Sequence, residues 1–313
     1  MATMSRRMKP LVLAFFTCFA VSVLCQQASV DTLAQARSLL ATGKLADSES
    51  VLRDYIHGHP SSAEAHFLLG YVLFRKKEAK ESLGEFTAGA ALRRPHADEL
   101  KIVASDYVML GDYGDADKWF TAVVVEKPDD YDAWYLLGRA KFNESNFTAA
   151  VSSFERALTL RPKHVDAENN LGLAWVELND TEKAQAAFQN AIDWQGEAPT
   201  DPQPFLNLGS LFADQTNFDK AILYLARAAA LAPDNPRIHE ELARVYAAQE
   251  KLPQAQSELE KAVELAPKIP GLHFKLGQLY RKEGLSERAA LEFQICAQLN
   301  STHSSAATPN PPR

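Results

Sequence analysis

Apolar and polar residues follow one another along this chain with helical period, in two stripes that return every 34 residues. With Tyr131 counted as position 1 of a unit, apolar residues at positions 4, 7, 8 and 11 mark one face of a first helix. Those at positions 20, 24, 27 and 28 mark one face of a second. Position 8 reads Ala36, Gly70, Ala104, Gly138, Gly172, Gly209, Ala243 and Gly277, and position 20 reads Ser48, Ser82, Ala116, Ala150, Ala184, Ala221, Ala255 and Ala289. All are small. Position 24 carries Leu52, Phe86, Phe120, Phe154, Phe188, Leu225, Leu259 and Phe293, while position 27 is looser, with Ala157, Ala191, Ala228 and Ala262 but Tyr55, Gly89, Val123 and Cys296 elsewhere. Small side chains at 8 and 20 let two antiparallel helices approach, and the large residue at 24 fills the groove beside them. Pro60, Pro128, Pro162, Pro233 and Pro267 at position 32 stop the second helix, because proline lacks an amide donor and disfavours helix in the residue before it. Pro95 does the same one place late.

The run Trp134, Leu137, Gly138, Ala150, Phe154, Ala157 and Pro162 resembles the tetratricopeptide repeat family, with its W-x2-L-G-x2-Y, A-x3-F and P pattern. The resemblance covers residues 29 to 303 and implies an all-α fold. It is that of a right-handed α-solenoid superhelix of about eight helix-turn-helix units, starting near residues 29, 63, 97, 131, 165, 202, 236 and 270. The first helices are then expected to line a concave groove that binds a protein or peptide segment. Positions 2, 5, 9, 12 and 13 are where the resemblance points for contacts. In repeats 2 to 4 these hold Phe67, Tyr71, Phe74, Tyr135 and Phe142, with Lys101, Arg139 and Asn143 between them. Aromatics supply buried area there and polar groups fix register; Phe74 and Phe142, at position 12, divide equally between binding and packing against the neighbouring unit. Repeat 6 offers only Leu206, Ser210 and Ala213 in the same places. A carboxylate-clamp pattern of the family is not met, since Asn170 and Asn207 hold position 6 but are flanked by Tyr135 with Arg139 or Arg237 with Glu241. The acids Glu64, Asp98, Asp132 and Asp166 at position 2 are what helix starts favour in any case.

Position 4 departs most from the family, with His66, Leu100, Glu168, Phe205, His239 and His273 in place of tryptophan. The three histidines read as half-buried packing residues, since units one module apart cannot share a metal. His57 and His59 lack a third ligand nearby, and Gly43-Lys44 lacks the upstream glycine and following Ser or Thr of a phosphate loop. No catalytic, cofactor or metal site is therefore expected. The chain has 33 Lys and Arg against 40 Asp and Glu, which argues against nucleic acid as a partner.

The first 25 residues are of another kind: Arg6, Arg7 and Lys9 precede an apolar run from Leu11 to Leu24. A basic start and a run too short to span a bilayer comfortably predict a secretory signal cleaved near Gln26, and hence a periplasmic or extracellular protein without a transmembrane span in its mature form. A retained anchor is the alternative. A twin-arginine signal is disfavoured by Lys9, and lipidation of Cys25 by Leu24 before it. Cys296 is then the last thiol, placed at a packing position. Repeats 5 and 6 are 37 residues apart, and the turn-rich stretch 195–202 between them is a possible hinge. Residues 301–313 are expected to be a disordered tail. Leu291 and Ile295, on the outer face of the last second helix, suggest an interface for a second copy of the chain. The sequence reads as an exported binding scaffold; an envelope-assembly component associated with the membrane is the alternative.

Overall fold

The computed structural model describes residues 32–306, with side chains to residue 301. It is all-α, with sixteen helices among the described residues, arranged as antiparallel pairs. The chain divides into two compact units, one ending at Asn146 and the other starting at Phe147.

The first unit holds α1 (32–41), α2 (Leu45–Gly58), α3 (Ala63–Arg75), α4 (Ala79–Leu92), α5 (Ala97–Leu110), α6 (Tyr113–Glu126) and α7 (Tyr131–Asn143). Small residues do here what their spacing predicts. A Cβ placed on Gly70 would lie 2.8 Å from the Phe86 ring, so in this repeat the ring enters the groove as closely as it does because position 8 is bare. Phe120 does the same work in repeat 3, fully buried among Ala104, Ala116, Val123 and Leu137. Aspartates start two of these helices: Asp112 accepts from the Asp115 amide and Asp130 from the Ala133 amide, each satisfying a donor the helix itself cannot use.

The second unit holds α8 (Phe147–Leu160), α9 (Val165–Glu177), α10 (Thr181–Asp193), α11 (Gln203–Asp214), α12 (Phe218–Leu231), α13 (Pro236–Ala248), α14 (Leu252–Leu265), α15 (Pro270–Lys282) and α16 (Ser286–Ala306). The close approach recurs, with a Cβ on Gly172 falling 2.5 Å from the Phe188 ring. Its largest apolar cluster runs from Phe188 and Ile192 on α10 through Phe205 and Leu206 on α11 to Ile238 and Leu242 on α13. The core is thus continuous across the longer connection at 195–202. Helix α16 continues to Ala306, so the chain is helical beyond residue 301, where the composition suggests a tail. Residues 307–313 and the expected leader lie outside the described residues.

Candidate partner-binding site

Positions 5, 9 and 12 of a first helix are one turn apart and share a face, so α3 carries Phe67, Tyr71 and Phe74 in a row and α7 carries Tyr135, Arg139 and Phe142. On α3, Tyr71 stacks on Phe74 with ring centroids 6.3 Å apart, and the Arg75 guanidinium lies 6.0 Å from the Tyr71 ring centre. On α7, Tyr135 stacks on Tyr131 at 6.2 Å, and the Arg139 guanidinium lies 5.8 Å from the Tyr135 ring centre. Each helix therefore presents a half-buried tyrosine with an arginine four residues on, held by stacking and cation–π attraction.

Phe67 is not part of that surface. It is 4% exposed and packed with Phe86 and Val103, its ring filling the space that Gly89 leaves at position 27; a Cβ on Gly89 would come within 2.8 Å of it. The Arg93 guanidinium covers the ring at 4.4 Å. The glycine at position 27 was the signal that position 5 turns inward here. Phe67 instead forms the floor of a cleft of about 220 Å³ lined also by Leu68, Tyr71, Ile102 and the Arg37–Glu64 ion pair.

Lys101 and Asn143 are engaged within the fold. Lys101 Nζ donates to Asp130 Oδ2 at 2.8 Å, tying α5 to the residue that caps α7. Burial alone would raise the Asp130 carboxyl, but the bonds from Lys101 and the Ala133 amide outweigh it and hold it below the ordinary value. Asn143 Nδ2 donates to the Arg139 carbonyl of its own helix. In repeat 6, Leu206 and Ala213 are buried in the core, leaving no comparable aromatic surface on α11. Leu291 on α16 is 56% exposed and Ile295 is half-buried.

The position-4 histidines are buried and bonded on both sides, which the packing reading missed. The Nδ1 atoms of His66, His239 and His273 lie 2.7, 2.6 and 2.6 Å from carboxylate oxygens of Glu85, Glu258 and Glu292. Their Nε2 atoms lie 3.2, 2.7 and 2.9 Å from the carbonyls of Pro60, Pro233 and Pro267. Trp134 Nε1 donates to the Pro128 carbonyl at 3.0 Å, so histidine keeps the tryptophan's bond to the proline at position 32 and adds a second. A glutamate nineteen residues after each histidine was the legible sign. Glu168 solves the same position differently, accepting from Asn190 Nδ2. His59 stacks on Tyr55 at 4.3 Å. Among the described residues no three His, Cys, Asp or Glu side chains are grouped to hold a metal, and no helix is long and apolar enough to cross a membrane.

The tetratricopeptide repeat profiles match residues 33–97, 104–150 and 138–202, and again 212–273. The chain is 23% identical over 181 residues to the tetratricopeptide repeat-containing protein trd-1 of Caenorhabditis elegans, a stretch that is 58% of this chain and 22% of that protein. The chain thus matches about a fifth of the length of this curated relative. A tetratricopeptide repeat protein from Parabacteroides merdae superposes with a TM-score of 0.63 at 16% identity, covering 87% of this chain and 99% of the other. PilW, a type IV pilus biogenesis factor, superposes with a TM-score of 0.58 at 24% identity over 66% of this chain and 94% of its own. These structural likenesses show the fold. Together with the matched repeats and the helix pairs built on positions 8, 20 and 24, they make this chain a member of the tetratricopeptide repeat family.

Proposed function

We propose that the chain is an exported, non-enzymatic scaffold that holds a protein or peptide segment on the first-helix surface of repeats 2 to 4. Its family is one of protein-interaction scaffolds that are typically without catalytic activity. The observation that carries the choice of surface is the pair of tyrosine–arginine stacks, Tyr71 with Arg75 and Tyr135 with Arg139. Tyrosine and arginine dominate interface energetics because each offers a large, partly ordered apolar face with a polar end. Phe74 and Phe142 flank them, and the cleft beside Tyr71 gives an apolar side chain of the partner a place to enter. Export rests on the basic start and the apolar run from Leu11 to Leu24.

Replacing Tyr71 and Tyr135 together by Ala is expected to weaken capture of partners from the native organism about tenfold or more, with helix content by circular dichroism intact. Equal capture by the double variant would reject this surface. A second reading, an envelope-assembly component, draws on the same leader and on the fold shared with PilW. Fractionation separates the two: the scaffold partitions with soluble exported protein, and the assembly component with membranes.

A further inference from the structure

Position 10 is buried in every repeat from the second onward, and it is apolar in all but one: Val72, Ala140, Ala174, Leu211, Val245 and Leu279. Repeat 3 places Asp106 there, with 0% of its surface exposed. Its Oδ2 lies 2.6 Å from Ser82 Oγ on α4, and that hydroxyl lies 2.9 Å from the Gly70 carbonyl on α3. Oδ1 is buried with no hydrogen-bond partner. In repeat 1, Ser48 makes the same bond to the Ala36 carbonyl at 2.9 Å, while position 10 of the following repeat is Val72, so the serine-to-carbonyl bond does not need an acid beside it.

Proton counting decides the state of this cluster. Ser82 has one hydroxyl proton, and with Asp106 ionised two acceptors compete for it. With a proton on Oδ2, the acid donates to Ser82 Oγ and Ser82 donates to Gly70, so each link carries one proton. A neutral carbonyl oxygen at Oδ1 then tolerates its lack of a partner far better than a carboxylate would. Among the described residues no cation compensates the Asp106 carboxylate. On α5 itself, Lys101 pairs with Asp130, and Glu99 with Arg93. On α3, Glu64 pairs with Arg37, and Arg75 lies over Tyr71. On α4, Glu85 bonds His66, while Lys80 and Glu81 are exposed. On α6, Asp115 and Asp117 pair with Lys118 and Lys141.

We propose that Asp106 is a proton-operated latch between repeats 2 and 3, closing the contact of α5 with α4 and α3 when neutral and loosening it when ionised. Burial pushes its carboxyl up to about 7, against the opposing bond from Ser82. In the unfolded chain an aspartate loses its proton at about 3.9. The stabilisation is therefore complete below that value and is lost as pH rises to about 7. Across this window the opening equilibrium grows up to about tenfold per pH unit, and above it this residue adds no further slope.

The test compares thermal unfolding of the full chain and its Asp106→Asn variant from pH 4 to 9. Asparagine is permanently neutral and keeps a donor for Ser82. The wild type is expected to lose stability relative to the variant as pH climbs to about 7, with a constant difference above that. Parallel curves over the whole range would overturn the latch. A second measurement needs no variant to fold: carbon NMR of aspartate carboxyls in the wild type should show one group titrating near 7, and titration of every aspartate in the ordinary range would equally overturn it.

Discussion

Position 15 shows how closely single residues follow the repeat and where they resist it. The backbone there is left-handed in every unit, at Gly43, Lys77, Gly111, Ser145, Asn179, Thr216, Glu250 and Gly284. Three glycines adopt this without cost, but Thr216, with φ of 59°, is β-branched and strained. Its side chain is exposed, so replacing it disturbs no core. Thr216→Gly is expected to stabilise the chain by about 0.5–1 kcal/mol, the relief of strain exceeding glycine's entropy in the unfolded state. A chemical-denaturation midpoint that falls would contradict this. The position-4 histidines were legible as members of the repeat but not as hydrogen-bonding residues, because the pattern names tryptophan for its size and Trp134 hides a donor within that size. Asp106 escapes notice in the sequence, because position 10 is not one of the positions the repeat pattern names and its role depends on Ser82, twenty-four residues earlier, lying within hydrogen-bond reach.

Helix pairs inside each unit were readable because they are decided by contacts within one repeat: the small residue at 8 and the large one at 24 meet across a single turn, as Gly277 and Phe293 do. Connections were harder. The three extra residues between repeats 5 and 6 suggest a hinge by composition, but the segment is laced by one side chain. Gln195 Oε1 accepts from the amides of Thr200 and Asp201 at 3.1 and 2.8 Å, and its Nε2 donates to the carbonyl of Asp201 at 3.2 Å. Asp201 in turn accepts from the Gln203 amide at 2.9 Å, opening α11. The two backbone N–H bonds that Gln195 Oε1 accepts, each worth about 1 kcal/mol, make local opening roughly ten- to thirtyfold rarer. Gln195→Ala is therefore expected to speed hydrogen exchange at Thr200 and Asp201 by about that factor while α10 and α11 keep their protection. Exchange at unprotected rates in the unmodified chain would mean that the connection is a hinge after all.

Taken as one chain, the repeat period is uniform across residue 146, yet the compact units divide there, between the two helices of repeat 4. Period reports contacts inside a pair and is silent on where larger units part. Surface exposure is likewise invisible to it, and the groove residues show this: Phe67 turned inward because Gly89 made room, while Tyr71 kept its place at the surface. At the other end of the array, Leu291 on α16 and Phe274 on α15 leave 56% and 47% of their surface in solvent. Ile295, one turn beyond Leu291, is already half-buried within its own chain. Phe274 turns toward Phe293, its ring centroid 5.7 Å away, so Leu291 with Ile295 is the apolar surface of the outer face, and the expected partner is a second copy of the chain. Leu291 is the more exposed of the two residues on α16. Size exclusion with light scattering is expected to find a dimer for the unmodified chain, and a folded monomer after Leu291→Glu with Ile295→Glu. Leu291→Glu alone should weaken dimerisation nearly as much, since the charge it introduces would have to be desolvated at the interface. An unmodified chain that stays monomeric at high concentration would leave these residues as ordinary exposed side chains.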